Sequence, residues 1–349
     1  MTFLPAHTRR VSARWRAAAA AALALVLGLA LAACGGSGSG SGNKAADHRP
    51  ASQPVKGGKT LAALWPLTGL PAGHKTPNHP VLAVKVPNTP ESYPQMGLRS
   101  ADMVTEELVE GGITRLAAFY YQHVPKLVGP VRSMRNSDIG VAQPAHAVLV
   151  SSGAAPSTLR RLHRAHVKFR TSGPGYYRDS SAAPYNLMVH LNQLAKSLPK
   201  GKVPASYLPW GSAKDFSGKA GAKNVSVRFS QGHTTQWKYA GGHYNYTNGH
   251  APKSRRFRAD NVLVLRVREG NAGYLDPVGN PVPVTILKGT GNALVFHGGK
   301  VARGTWSKKG AAAPVKLHAR HGALRVPAGH TWIELDPVGK NGGAVTWHK

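Results

Sequence analysis

The chain has 349 residues, of which 45 are Lys or Arg and 14 are Asp or Glu, so its formal net charge at pH 7 is +31. This length suits one large domain or two ordinary ones, and a hydrophobic fraction of 42% argues against wholesale disorder. The single cysteine, Cys34, excludes an intramolecular disulfide framework and a multi-cysteine metal site.

The chain begins with the three parts of a secretory signal. Residues 17–33 are apolar and end in small residues before Cys34, and they follow a basic start that contains Arg9, Arg10, Arg14 and Arg16. We therefore predict that residues 1–33 are a signal peptide. Without them, 41 basic and 14 acidic residues remain, which gives a net charge of +27.

The sequence Leu31-Ala32-Ala33-Cys34 is typical of a bacterial lipobox, in which cleavage leaves a cysteine at the new N-terminus to carry a diacylglycerol. We predict lipidation at Cys34. An uncleaved single-span anchor is the alternative, because about 17 apolar residues can just cross a bilayer. Residues 34–58 are rich in Gly, Ser and polar residues and predict a flexible tether. Together these segments predict a lipid-anchored protein on the extracytoplasmic face of the cell membrane.

The first half of the remaining chain mixes strand and helix patterns. Apolar runs predict strands at residues 81–86, 103–109, 116–121 and 147–150. The pair Gly111-Gly112 predicts a tight turn between the second and third of these strands. A helix is predicted at residues 156–166, with Pro156 in its first turn.

Beyond Gly211 the pattern becomes mostly β. Short apolar runs separated by Gly, Pro and Asn predict strands at residues 225–229, 262–267, 282–287, 294–296 and 332–335. The Gly-rich segment 288–293 lacks the Gly-Lys-Ser/Thr ending of a phosphate loop, so we predict a β turn there. The sequence thus predicts an α+β fold, with a mixed α/β N-terminal domain at residues 59–205 and a mostly β C-terminal domain at residues 220–340.

Several motifs resemble the YerB-like lipoproteins, a bacterial family built on domains of unknown function. In the first half they are Ala101-Asp102 with Glu106, Val109-Glu110-Gly111-Gly112-Ile113-Thr114-Arg115, Gly129-Pro130-Val131-Arg132-Ser133 with Arg135, Arg178-Asp179, Pro184 and Asn186-Leu187. In the second half they are residues 259–262, Gly304 with Trp306, and residues 329–335. The resemblance covers roughly residues 61–337.

The resemblance implies a bacterial surface lipoprotein and a layered β-β-α sandwich, but no established reaction. Two departures from the family pattern stand out. Tyr185 occupies the position where the family usually has His before the Asn, and Ala154-Ala155 replace a Gly-Ser pair before Pro156. A family chemistry that needed that His would be absent from this chain.

Glu106 and Glu110 are the candidate catalytic residues. They are four positions apart, so they share a face in either a strand or a helix, and paired carboxylates serve as acid and base in glycan cleavage. The alternative is an ionic network in which nearby arginines neutralise them. We favour the network, because Arg binds carboxylates bidentately without any substrate.

A third use of the same region is ligand binding, in which arginines that face a cleft grip a phosphate or carboxylate. The candidate ligand-binding residues are Arg115, Arg132, Ser133, Arg135, Arg178, Asp179 and Asn186. No metal site and no cofactor are predicted, since the neighbouring His163 and His166 lie in a segment whose five Arg and Lys would repel a cation.

The cationic charge raises the question of a partner. No basic-aromatic recognition motif is present and an exported protein meets little nucleic acid, so we expect none as a partner. Our interpretation is a membrane-anchored protein that binds an anionic wall polymer or a cell-wall assembly protein. The alternative is a hydrolase or lyase that acts on wall glycan or an ester through Glu106 and Glu110.

Overall fold

The computed structural model describes residues 63–73, 76–339 and 342–349, which belong to one compact unit that extends from Lys59 to Lys349. The predicted signal peptide, the lipidation site at Cys34 and the tether lie outside the described residues. Within the described segments, no helix is both long and apolar enough to span a membrane.

The described part of the first half of this unit contains seven strands and three α-helices, with short 3-10 turns between them. The strands are β1 (Leu82–Asn88), β2 (Met103–Leu108), β3 (Thr114–Tyr120), β4 (Val148–Val150), β5 (Phe169–Arg170), β6 (Tyr176–Arg178) and β7 (Leu187–Val189). The helices are α1 (Asp138–Ala142), α2 (Pro156–Arg164) and α3 (Leu191–Lys196). Pro156 lies in the first turn of α2, as predicted.

The second half is built from strands and short 3-10 turns. Its strands are β8 (Trp210–Gly211), β9 (Ala220–Gly221), β10 (Asn224–Arg228), β11 (Thr234–Ala240), β12 (His243–Tyr246), β13 (Arg258–Ala259), β14 (Asn261–Leu275), β15 (Pro281–Ile286), β16 (Gly289–His297), β17 (Lys300–Lys308), β18 (Lys316–His318), β19 (Val326–Pro327), β20 (Thr331–Pro337) and β21 (Ala344–His348). The protein is therefore mostly β, with few helices.

One prediction in this half is wrong. Residues 288–293 were expected to form a β turn, but Gly289 to Ala293 lie in β16, paired with β17. These glycines serve close packing and not a turn, because a Cβ on Gly291 would clash with the carbonyl oxygen of Arg266 and with the indole of Trp306. Glycine here permits a tight approach between neighbouring chains.

A single large sheet runs through both halves of the unit. Ten of its 12 strands follow the order β18-β17-β16-β14-β20-β2-β3-β1-β4-β5, and β15 and β9 pair with β14 and β17. The halves meet at its centre, where β2 pairs in parallel with β20 and Glu106 lies opposite Glu334. Strands predicted for two separate regions thus share one hydrogen-bonded ladder.

A second sheet covers one face of the large sheet. It has five strands in the order β13-β12-β11-β10-β21. Val225 and Trp237 on this sheet are buried in the same apolar cluster as Val84, Val104 and Trp332 of the large sheet. Burial alternates along β10, which is why one side of that strand is apolar and the other polar.

The opposite face of the large sheet is covered by helices and irregular segments. Val141 of α1 and Leu162 of α2 pack in one cluster with Phe119, Leu149 and Leu263 of the large sheet. Both faces of the sheet are therefore buried, so a polar side chain on either face has to find its partners inside the protein.

Candidate functional site

The polar residues of β2 divide between the two faces of the large sheet. Successive side chains on a strand point to opposite faces. Glu106 follows Val104 on the face covered by the five-stranded sheet, whereas Glu107 follows Met103 on the face covered by the helices. Both carboxylates are buried.

Glu106 is a fully buried carboxylate surrounded by hydrogen-bond donors. Its Oε1 accepts hydrogen bonds from Nδ2 of Asn88 at 2.9 Å, Oγ1 of Thr114 at 2.7 Å and Oγ1 of Thr235 at 3.0 Å. Its Oε2 accepts one from Nε1 of Trp332 at 3.1 Å. These donors come from both sheets, so the carboxylate links the two.

Glu334 lies beside Glu106 and forms with it the buried acid pair. Nε1 of Trp237 donates to Oε1 of Glu334 at 2.8 Å. Burial, together with the charge of Glu106, raises the pKa of Glu334 well above its usual value. Burial acts on Glu106 too, but the hydrogen bond and charge of His233, whose Nε2 lies 2.8 Å from Oε1, hold its pKa below the usual value. The two pKa shifts run in opposite directions, so Glu334 holds a proton in preference to Glu106.

The other face carries a buried ionic triad of Lys85, Glu107 and Asp138. Nζ of Lys85 lies 2.8 Å from Glu107 and 2.7 Å from Asp138, and no member is more than 1% exposed. Burial, with added repulsion from Asp138, raises the pKa of Glu107 to about 7. The triad joins β1, β2 and α1.

Glu110 belongs to a third group, the arginine–glutamate cluster of Glu110, Arg115 and Arg135. It follows β2 in the turn where Gly111 and Gly112 have φ of +70° and +73°, which confirms the predicted glycine turn. Nε of Arg135 donates to Oε2 of Glu110 at 2.7 Å, and Nη2 of Arg115 donates to its Oε1 at 3.1 Å.

The charges of this cluster shift the pKa of each partner. Burial raises the pKa of Glu110, but the hydrogen bond from Arg135 and the charges of both arginines outweigh it and bring the pKa to about 2. Burial and the nearby charge of Arg135 lower the pKa of Arg115 to about 10. Arg115 also donates from Nη1 to the backbone carbonyl of Ser133 at 2.9 Å. The donors of Arg115 and Arg135 named above thus bind groups of the protein itself, whereas the buried Nε of Arg115 has no partner among the described residues.

The expected shared face of Glu106 and Glu110 is therefore wrong. The side-chain periodicity of a strand or helix applies only within one continuous element. Here β2 ends at Leu108, and Glu110 lies in the turn that follows. Glu106 bonds to residues of the five-stranded sheet, and Glu110 bonds to Arg115 and Arg135. The arginine network favoured from the sequence surrounds only Glu110, which binds Arg115 and Arg135, whereas Glu106 lies opposite Glu334.

Sequence reasoning did not select Glu334 as a site residue. It lies within the motif at residues 329–335, and nothing in local spacing connects it with Glu106. The only available signal was a carboxylate inside an apolar strand, which has to find a partner when buried.

Arg132 and Ser133 lie at the edge of this region. Nη1 of Arg132 donates to the carbonyl of Pro184 at 3.3 Å, and its guanidinium sits 5.1 Å from the ring centre of Tyr185. Oγ of Ser133 is 3.2 Å from Oγ of Ser152 in an exposed position. The ring of Tyr185 thus packs against a cation.

Arg178, Asp179 and Asn186 lie together on the β6–β7 hairpin. Nη1 of Arg178 donates to Oδ1 of Asn186 at 2.6 Å, and the backbone N–H of Asp179 donates to the carbonyl of Asn186 at 2.9 Å. Oδ1 of Asp179 accepts from the backbone N–H of Ser181. These three residues fix the hairpin.

Across residues 63–73, 76–339 and 342–349, no group of three or more His, Cys, Asp or Glu is arranged to hold a metal ion.

Acidic and basic residues are distributed very differently between interior and surface. Of the 13 acidic residues in the described segments, seven are buried: Asp102, Glu106, Glu107, Glu110, Asp138, Glu334 and Asp336. The buried basic residues of the described segments are Lys85, Arg115, Arg135 and Lys308. Burial thus removes more acids than bases, and the surface is more cationic than composition alone indicates.

Comparisons with known proteins match the two halves separately. Residues 67–204 match the N-terminal domain of a family described as "Protein of unknown function (DUF3048)", and residues 225–333 match its C-terminal domain. The chain belongs to this YerB-like family.

A relative and a solved structure agree with this membership. Over 137 residues the chain is 33% identical to a Bacillus subtilis (strain 168) protein described as "Putative lipoprotein YerB", an alignment that spans 38% of this chain and 41% of that relative. The crystal structure of YerB from Bacillus subtilis matches with a TM-score of 0.67 and 22% identity, and covers 82% of this chain and 100% of that one. This YerB-like chain therefore shares the fold of YerB.

Proposed function

We propose that this YerB-like protein is anchored by a lipid on Cys34 to the outer face of the cell membrane, where its folded body binds anionic envelope components. The motif at residues 31–34 and the description of its Bacillus relative as a lipoprotein support the anchor. The bound component is an anionic wall polymer or a protein of cell-wall assembly. We also interpret the five-stranded sheet, the large sheet and the helices as the layers of a β-β-α sandwich.

The observation that carries the proposal is the unequal burial of charge. Seven acids are enclosed in the core, and among the described residues Glu91 and Asp215 are the acids classed as exposed. A positively charged surface attracts polyanions over a distance of about 10 Å at 0.1 M salt. Its attraction for an anionic polymer depends on many weak contacts and not on one cleft.

The arrangement of Glu106 and Glu110 argues against the hydrolase or lyase alternative. Glu106 has no exposed surface, and Glu110 is held by hydrogen bonds from two arginines. A catalytic carboxylate has to lie within hydrogen-bond reach of its substrate. Neither side chain offers that access in this structure.

Sedimentation with isolated cell walls tests the proposal. The full chain carrying Cys34→Ser would be mixed with walls before and after extraction of their phosphate-bearing polymers. We expect it to pellet with the intact walls at low salt and to stay largely in solution with the extracted walls. Equal pelleting with both wall preparations, or no pelleting with either, would contradict the proposal.

A further inference from the structure

A cavity of about 710 Å³ lies between the end of α2, the strand pair β4–β5 and the segment at residues 198–202. Its size falls within the range of small-molecule sites, roughly 300–1,000 Å³. Its floor is apolar and is formed by the buried residues Pro80, Ala147, Val148, Val167 and Leu198. We call it the basic cavity because of the charges at its rim.

The rim carries four cationic side chains: Lys168, Arg170, Lys200 and Lys202. All four are exposed, and the lining contains no Asp or Glu. Within the described part of the chain, none of the four forms an ion pair. An anion in the cavity would therefore meet several positive charges with no competing carboxylate at the site.

Two histidines at the rim have an unusual backbone conformation. His146 and His166, with φ of +49° and +54°, are the non-glycine residues of the described segments that have positive φ, and both line the basic cavity. Each ends a helical turn, a position where glycine is the usual residue. A side chain in this conformation costs roughly 1–2 kcal/mol. This backbone conformation places two imidazoles beside the four cations. Backbone strain of this kind is often found at ligand-binding sites.

We propose that the basic cavity binds an amphiphile whose phosphate headgroup has a net negative charge, with the phosphate at the cationic rim and an apolar group on the floor. This inference rests on the proposed function but assigns one defined site. Lysines bind phosphate as point charges, and four cations around one opening suit a group with several anionic oxygens. The apolar floor can bury an apolar part of the ligand. A purely polar wall polymer has no such part.

Calorimetric titration of the full chain carrying Cys34→Ser tests this site. The probes are a short-chain phosphatidylglycerol below its micelle concentration, the matching phosphatidylcholine, and glycerol phosphate, which lacks acyl chains. We expect saturable binding of the phosphatidylglycerol, at least tenfold tighter than that of either other probe. Equal affinity for glycerol phosphate would show that the floor is not used, and equal affinity for phosphatidylcholine would show that the rim is not used; each result would overturn the inference.

Two charge-reversal variants distinguish the site from the general surface charge. Lys200→Glu with Lys202→Glu alters the rim, and Lys223→Glu with Lys253→Glu makes the same charge change at exposed positions that do not line the cavity. We expect the rim variant to lose at least tenfold in affinity for the phosphatidylglycerol and the control to change less than twofold. Equal losses would overturn the inference. Wall sedimentation that persists without any phosphatidylglycerol binding would overturn this site and leave the proposed function standing.

Discussion

Glu106 and Glu334 are two carboxyl groups that the fold keeps side by side without exposure to water. Two adjacent buried carboxylates disfavour each other's ionisation in a low-dielectric interior. The imbalance of donors decides which group is ionised, because Glu106 receives hydrogen bonds from Asn88, Thr114 and Thr235. The pair behaves as a carboxylate beside a neutral acid.

Isosteric substitutions of the two residues therefore have different effects. Glu334→Gln keeps an acceptor for Trp237 and, like the protonated acid, carries no charge, so we expect the free energy of unfolding to stay within about 1 kcal/mol of the wild type. Glu106→Gln removes the charge around which several donors are arranged, and we expect a loss of about 2–4 kcal/mol.

Urea denaturation of the two variants at pH 7 measures this difference. Equal losses of stability in both would contradict the assignment of the proton to Glu334. A larger loss in Glu334→Gln than in Glu106→Gln would reverse it.

The sequence could identify only one member of this pair. Glu106 stood out because acids are scarce and cluster near it. Its neighbour Glu334 lies far along the chain, and the partners Thr235 and Trp332 come from strands of the second half. Contacts of this kind depend on sheet order, which local patterns do not encode.

At the scale of elements, Glu110 ties together three parts of the chain. It lies in the turn between β2 and β3, Arg115 lies in β3, and Arg135 precedes α1. The cluster thus fixes the turn against the segment that leads into the helical side of the protein. Its contribution depends on the ionisation of one carboxyl group.

The pKa of Glu110, lowered to about 2 from the ordinary 4.5, predicts how stability changes with pH. A lowered pKa means that the ionised group stabilises the fold at pH values above about 4.5, and that this stabilisation is lost as the pH falls toward 2. We expect Glu110→Gln to be less stable than the wild type by about 3 kcal/mol at pH 7, with a difference that shrinks as the pH falls from 4.5 to 2.

Thermal or urea unfolding across this pH range checks the prediction. Asp215→Asn, at an exposed position, is the matched control and should leave the pH profile of stability unchanged. A difference between Glu110→Gln and the wild type that stays constant from pH 7 to pH 2 would contradict the role assigned to the cluster.

Elements with a strong local signal were predictable from the sequence. Strands β1 to β4 and helix α2 coincide with apolar runs and with a proline at a first helical turn. Residues 288–293 were not predictable, because the glycine at 291 serves a contact with Arg266 and Trp306 that only the folded sheet reveals. Local patterns identify where a strand lies and not what packs against it.

At the scale of the whole molecule, composition gave the sign of the charge but not its location. A net charge of +31 is compatible with acids spread over the surface or enclosed in the core. The fold encloses Asp102, Glu107, Asp138 and other acids where cations or backbone donors meet them. The surface left to face the solvent is therefore more strongly cationic.

The salt dependence of binding tests this account most directly. The full chain carrying Cys34→Ser would be titrated with a purified polyanionic wall phosphodiester at several NaCl concentrations. Because binding by many surface cations releases counterions, we expect the affinity to fall by at least about tenfold between 50 and 200 mM salt. A neutral polymer of similar length should not bind. An affinity that does not change with salt, or equal binding of the neutral polymer, would contradict a function based on the cationic surface.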